Sequence, residues 1–384
     1  MPGKTILILG GGIGGIVAAS RLRKALPREH RVVLVERETR CLFAPSLLWL
    51  MVGLRKPEQI SRPLPALAGK GVEVVPGTIE GIDPANRSAR VNGRDLRADY
   101  LIVALGADLA PETVPGLSLA GHDFYTLAGA ESLRDARLAV RRGRIIVLVS
   151  SVPFKCPAAP YEAAMLLEYD CRKRKLRDSL QIDVYTPEPG PMPVAGPKVS
   201  AEIRGMIEAK GIGFHPEHAA TAVDPAARRI SFANGASADF DLLAYVPPHR
   251  APAVVRSSGL ASESGWVPVD RASLETRVPG VYAIGDVTGI MLKMGRPLPK
   301  AGVFAHGEAE VVADNIAVEI TGKGERRTFD GHGECFVETG DGKAGFGTGN
   351  FYAEPVPEVR LRGPNRALHL GKIAFEKYWL FGRS

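Results

Sequence analysis

Cysteine is scarce in this chain, and long apolar runs are absent. Four cysteines, Cys41, Cys156, Cys171 and Cys335, occur in 384 residues, too few for a disulfide scaffold. None falls in a CxxC pair, so structural zinc is disfavoured and no metal site is expected. No apolar run is long enough to span a bilayer as a helix. The longest, Leu42 to Leu54, is interrupted by Pro45 and Gly53. The chain opens on a glycine-rich segment instead of a basic, apolar leader, so no export signal is expected. Nucleic-acid modules are also missing. The formal charge of +7 is dispersed, which argues against a nucleic-acid partner. It suits either an ordinary basic surface or attraction to anionic headgroups or a small anionic substrate.

What is present is a globular α/β pattern. Apolar residues make up 45% and charged residues 24%, enough for two or three packed domains. Thr5 to Leu9 reads as a short buried strand, followed by Gly10, Gly12 and Gly15 in a G-x-G-x-x-G turn. An amphipathic helix should run to about Leu26, and a strand from Arg31 to Val35 ends beside Glu36. Strand, turn, helix and acid together make a dinucleotide site. Gly10 permits the tight turn, Gly12 lets the backbone approach a pyrophosphate, and Gly15 allows close helix packing. The helix N-terminus meets the phosphates, and Glu36 meets the ribose hydroxyls.

Two later segments, Tyr100 to Asp108 (with Gly106) and Val281 to Thr288 (with Asp286), resemble further FAD motifs of the flavin-linked disulfide reductase superfamily. The resemblance implies that Asp286 contacts the ribityl chain or pyrophosphate. A helix should begin near Gly302, with Lys300 just before it. Lys300 is then either a stabiliser of negative charge at the flavin N1–C2=O edge or a solvated lysine. The fold class expected is α/β: two interleaved Rossmann-like dinucleotide-binding folds plus a C-terminal segment with an amphipathic helix. The FAD domain takes 1–112 and 248–322, the second fold 113–247, and the C-terminal segment 323–384.

The second fold opens with the strand Arg144 to Val149, then a helix from Tyr161 to about Leu176 and a strand from Gln181 to Tyr185. The loop after its first strand, Ser150 to Pro157, has no glycine and two prolines. It lacks the backbone clearance a second pyrophosphate needs, so the nicotinamide site is expected to be degenerate. Cys156 lies at this strand-to-helix turn. Lys155 before it and the helix N-terminus after it should lower its thiol pKa. The Pro/Gly-rich stretch Pro187 to Pro197 reads as a surface loop.

The stretch Phe154-Lys155-Cys156-Pro157-Ala158-Ala159-Pro160-Tyr161-Glu162 resembles the cysteine motif of sulfide:quinone oxidoreductases and of the flavoprotein of flavocytochrome c sulfide dehydrogenase. Thr186-Pro187-Glu188-Pro189, Val246-Pro247-Pro248-His249-Arg250, Pro299-Lys300-Ala301-Gly302 and the tail His369 to Tyr378 are similar to that family too. The resemblance implies a redox-active pair, Cys156 and Cys335, beside FAD, with sulfide as donor and quinone as acceptor. Glu162 is either an acid or base near the sulfur or a support for the loop. Many members carry a third cysteine where this chain has Tyr125. Cys41 lies near the covalent attachment point of one branch, but Phe43 takes that position more naturally. Cys171, in a basic helix, reads as structural or surface.

On a helix from Ala367 to Arg383, His369, Lys372, Glu376 and Arg383 share a narrow stripe and most of the rest is apolar. Such a helix packs on the protein's own core or a second copy, or lies in the headgroup zone of a membrane with Tyr378 and Trp379 as anchors. Phe336, Phe346, Phe351 and Tyr352 are candidates for a quinone pocket or for plain core. The leading expectation is a peripheral enzyme on the cytoplasmic (inner) membrane; homo-oligomerisation is left open. Electron delivery to a cytochrome, NADH:quinone oxidation and a non-catalytic flavin sensor are the alternatives.

Overall fold

Thr5–Leu9 is apolar at four of its five positions and buried at the same four, as a strand flanked on both sides must be. In the computed structural model, which describes residues 3–382, it is the centre of a five-stranded sheet. The order is Val281–Ala283, Tyr100–Val103, Thr5–Leu9, Arg31–Glu36, Glu73–Pro76, with every pair parallel. Gly10 leaves the first strand at φ 105°, where a side chain would meet the Ala104 carbonyl. The chain then enters the helix Ile13–Ala25. The helix Gly302–Thr321 packs along it, held by Arg21 to Glu310 and Asp314.

A second parallel sheet orders His122–Asp123, Leu242–Val246, Gly143–Val149, Leu180–Tyr185 and Gly213–His215. The helix Ala159–Lys173 packs on its face, starting two residues before the expected Tyr161 because Ala159 and Pro160 already turn. The stretch expected as a surface loop is only partly one. Pro191, Val194 and Ala195 are buried, because a short 3-10 turn at Pro193–Ala195 tucks them in. Cys171 is buried, not on the surface.

The C-terminal segment is an antiparallel meander, His332–Gly340, Lys343–Asn350 and Glu358–Asn365, followed by the helix Arg366–Phe381. Asn365 caps that helix by accepting the Leu368 N–H. Its orientation corrects the sequence reading. The polar stripe faces inward: Lys372 and Glu376 are buried, together with Trp379 and Leu380. Leu370, Phe375, Tyr378 and Phe381 are exposed on the opposite side. Trp379 is therefore no surface anchor; it packs on Phe43 at 5.3 Å between ring centroids. Arg383 lies outside the described residues. Among the described residues, no helix is long and apolar enough to cross a membrane.

Candidate active site

A cleft of about 550 Å³ opens over the first turn of the chain. Gly10, Gly12, Glu36 and Gly106 line it, as do Asp286, Lys300 and Gly302. Gly15 stands back from it: a Cβ there would sit 1.8 Å from the Gly10 carbonyl oxygen, so it sets helix-to-strand packing. Gly12 faces open space, with no atom within 4 Å of where a Cβ would lie. An unfilled cradle beside free helix amides fits a pyrophosphate. Glu36 closes the second strand, its carboxylate accepting the Gly11 N–H at 2.7 Å and the Glu38 N–H at 3.0 Å. Gly302 lets the late helix approach, since a Cβ there would meet Ile13.

The same cleft reaches Tyr125, Lys155 and Cys156. Cys156 has φ 55°, the left-handed region that favours glycine. A cysteine thus adopts a glycine-like backbone in this glycine-free loop, and its neighbours hold it there. Its N–H donates to the Lys300 carbonyl at 2.7 Å, and its own carbonyl accepts the Ala159 N–H at 2.9 Å. The buried Tyr125 hydroxyl donates to the Lys155 carbonyl at 2.9 Å. Sequence reasoning saw Tyr125 only as an absent thiol; the hydroxyl that straps the loop carries no local sequence signal.

Lys300 is buried, not solvated. Its ammonium donates to the carbonyls of Asp286 at 2.7 Å and Thr288 at 3.0 Å, and stands 3.4 Å from the Trp266 ring centroid. Loss of water around it lowers its pKa to about 8. Burial also raises the Asp286 carboxyl, against the attraction of Lys155 and Lys300. Glu308, fully buried, accepts the Gly285 N–H and is pushed up to about 8.

The expectation of an acidic Cys156 thiol is corrected for the free-thiol form. Burial pushes it well above its ordinary value, and the charges of Cys335 and Glu162 push the same way. Lys372 and the Ala159 N–H oppose them. Lys155 directs its charge to Asp286 and His249 instead. Cys335, on the strand His332–Gly340, is water-accessible yet ringed by protein atoms, and desolvation raises its thiol to about 12. Both cysteines are free thiols, and the charge of Cys335 acts on Cys156.

Glu162 is buried on the helix that follows Cys156. One of its oxygens accepts the Lys372 ammonium at 2.9 Å and the Glu338 N–H at 2.7 Å. The support reading of Glu162 thus has partners, and Lys372, read from sequence only as part of a polar stripe, is one of them. The signal was available: His369, Lys372 and Glu376 share a face on a helix otherwise too apolar to be bathed in water. Phe336 and Phe346 face each other across the meander at 5.0 Å. Phe375 joins Phe336 at 6.4 Å and Phe43 at 5.8 Å. Phe351 packs on Phe304, and Tyr352 on Phe329. Cys41 lines the cleft, its thiol raised to about 12 by burial. Elsewhere, an open depression of about 960 Å³ lies around Arg172, Arg177 and Lys210, whose charges are paired with Glu168 and Asp341. Among the described residues no cluster of His, Cys, Asp or Glu is placed to hold a metal ion.

A family model described as pyridine nucleotide-disulphide oxidoreductase matches residues 4–309. The chain belongs to that family. It is an FAD-dependent oxidoreductase, and the cleft just described is the one whose residues fit FAD. This family member is 28% identical to a sulfide-quinone reductase of Aquifex aeolicus over 98% of the chain and 90% of the relative. It is 25% identical to a mitochondrial sulfide:quinone oxidoreductase of Mus musculus, over 91% and 79%. The solved sulfide:quinone oxidoreductase of Aquifex aeolicus superposes with TM-score 0.88 at 25% identity, covering 99% of this chain and 91% of that one.

Proposed function

We propose that this oxidoreductase oxidises sulfide to sulfane sulfur or polysulfide and passes the electrons to a quinone. The observation that carries the reading is the position of Cys156. It occupies the turn of the second dinucleotide-like fold, on the wall of the cleft that fits FAD, with Cys335 close enough to act on its charge. The full-length likeness to sulfide:quinone oxidoreductases supports the same substrates.

In the oxidised pair, hydrosulfide attacks one sulfur. A new S–S bond forms, the Cys156–Cys335 bond breaks, and the other cysteine leaves as thiolate. Each hydrosulfide gives up one proton and two electrons, and the quinone takes the two electrons and two protons, the second drawn from water. FAD supplies the two-electron acceptor between them. The chain's own residues do the rest. Tyr125 and the Lys300 carbonyl hold the Cys156 loop against the cleft. Glu162 ties the Cys156 helix to the Cys335 strand.

Quinone entry belongs to the C-terminal side. The exposed Leu370, Phe375 and Tyr378 form an apolar face suited to the headgroup zone of the cytoplasmic (inner) membrane. Phe336 and Phe346 lie behind Phe375, toward Phe43, which leads into the segment that lines the FAD cleft. The glycine-free loop at Ser150 to Pro157 supports loss of the nicotinamide site.

The test is anaerobic addition of sulfide to the yellow protein. Bleaching of the flavin band by sulfide and not by NADH, with reoxidation by a short-chain quinone, is the expected result. Bleaching by NADH alone, or reoxidation by a cytochrome and not by quinone, would overturn it.

A further inference from the structure

The C-terminal helix does two things at once. It presents an apolar face outward, and it drives a lysine into the protein between the two elements that carry the cysteines. Cys156 sits three residues before the helix Ala159–Lys173, which bears Glu162. Cys335 sits on the strand His332–Gly340, which also bears Glu338. Glu162 accepts the Glu338 N–H at 2.7 Å, joining those elements directly. Lys372 donates to that same Glu162 oxygen at 2.9 Å, with the Trp49 ring centroid 4.9 Å from its ammonium.

We propose that Lys372 is a positioning residue for the sulfur chemistry: the docked C-terminal helix sets its charge beside both thiols and locks the Glu162 junction between them. The inference rests on the sulfide reading of Cys156 and Cys335.

The charges around it make the reason plain. Glu162 faces Lys372 from the cysteine helix, and Glu338 and Cys335 face it from the strand. His369, one turn earlier on its own helix, binds Glu338 at 3.0 Å through both oxygens. One carboxylate, Glu162, therefore already acts on both thiols, and a second, Glu338, faces the same lysine. Each attack of hydrosulfide on the oxidised pair releases a thiolate, a third negative charge in a site with little water. Lys372 is the cation that acts on both sulfurs, favouring the thiolate at each. A buried lysine is costly unless paired, and Glu162 supplies the pairing. The same helix thus places Lys372 at the sulfur side and its apolar residues on the quinone side, so loosening it would impair sulfur exchange as well as membrane contact.

The experiment is alkylation of Cys156 and Cys335 by iodoacetamide in the reduced, FAD-loaded full chain, followed by peptide mass spectrometry from neutral to alkaline pH. Lys372→Gln should slow modification about tenfold at a given pH and move both profiles to higher pH, a tenfold loss being one pKa unit. Lys372→Arg should restore most of the rate. Glu162→Gln, which keeps an acceptor oxygen but removes the negative charge, should move the profiles the other way. It also serves if Lys372→Gln does not fold. Unmoved profiles in yellow protein, or Arg no better than Gln, would overturn the proposal. Sulfide bleaching of the unaltered protein tests the parent reading separately: it can fail while Lys372 still moves the thiols, and the reverse.

Discussion

Arg55 closes on Glu376 across 321 positions of chain, its Nε 3.0 Å and 3.1 Å from the two carboxylate oxygens and its Nη2 3.0 Å from the second. Glu376 has no exposed surface, and the Ser46 hydroxyl donates to it as well. The pair fixes the C-terminal helix to the short helix Leu47–Met51, whose Trp49 carries Arg55 over its ring. A buried charge left without its partner is strongly destabilising. Glu376→Ala should therefore lower stability by about 3 kcal/mol, read as a drop in Tm, with early proteolysis of the C-terminal helix. A Tm equal to that of the unaltered protein would show that the helix is held by its apolar contacts alone.

Gly15 gives the sharpest test of the FAD cleft. A methyl group there collides with the Gly10 carbonyl, so the turn must open to admit it. Gly15→Ala should yield protein with little bound flavin, measured as the ratio of visible to protein absorbance. Gly12→Ala has free space on the backbone but intrudes on the cradle. It should fold normally yet bind FAD more weakly, and full FAD content in both variants would refute the placement.

Much of this was legible because the signals were local. Parallel buried strands read as unbroken apolar runs, so Thr5–Leu9, Arg31–Glu36 and Gly143–Val149 stood out, and the glycine turn announced its helix. The interior of the C-terminal segment was not legible. A wheel gives the faces of the helix Arg366–Phe381 but not which face meets the protein. The apolar character of the helix points to a membrane or to a core, whereas the face that is buried is the charged one. The fate of Lys372 depended on Glu162, 210 positions away, and no local pattern encodes that pairing. Cys156 shows the same limit. Its neighbours in sequence suggested an acidic thiol, while burial and the charges of Cys335, from a distant strand, and of Glu162 decide otherwise.

Cys156→Ser should abolish sulfide-dependent bleaching while leaving the flavin bound, since the cleft that fits FAD is lined mainly by other residues. Cys335→Ser should do the same. Stopped-flow reduction under anaerobic conditions checks both, and near-normal reduction in either removes the pair from the reaction.

Glu188 predicts a pH signature. Burial pushes its carboxyl from an ordinary 4.5 up to about 7, against the attraction of Arg296 and the Tyr161 hydroxyl. Between those values the folded chain holds a proton that the unfolded chain has lost. The stabilisation is complete below pH 4.5 and disappears as pH rises through about 7. Removing the ionisation with Glu188→Gln should flatten that part of the stability profile by about 3 kcal/mol. Urea midpoints across the window measure it. Parallel profiles for the two proteins would mean that Glu188 ionises as freely in the fold as outside it.

The outward face of the C-terminal helix makes the last test. Leu370 is 63% exposed and Tyr378 is 62% exposed, and with Phe375 and Phe381 they leave an apolar face open to water, the kind of patch that marks an interaction surface. Burying a side chain of this size contributes roughly 1.5–3 kcal/mol. Leu370→Gln with Tyr378→Gln should then weaken binding to vesicles at least tenfold, even with only partial immersion. Both residues lie opposite Lys372 and Glu376, so flavin content and Tm should not change. Co-sedimentation with anionic and neutral vesicles separates the terms. The net charge of +7 should make the anionic case salt-sensitive, while the apolar loss persists in high salt. Equal partitioning of variant and unaltered protein would sink the membrane reading, and a change in oligomer size instead would assign the face to a second copy of the chain.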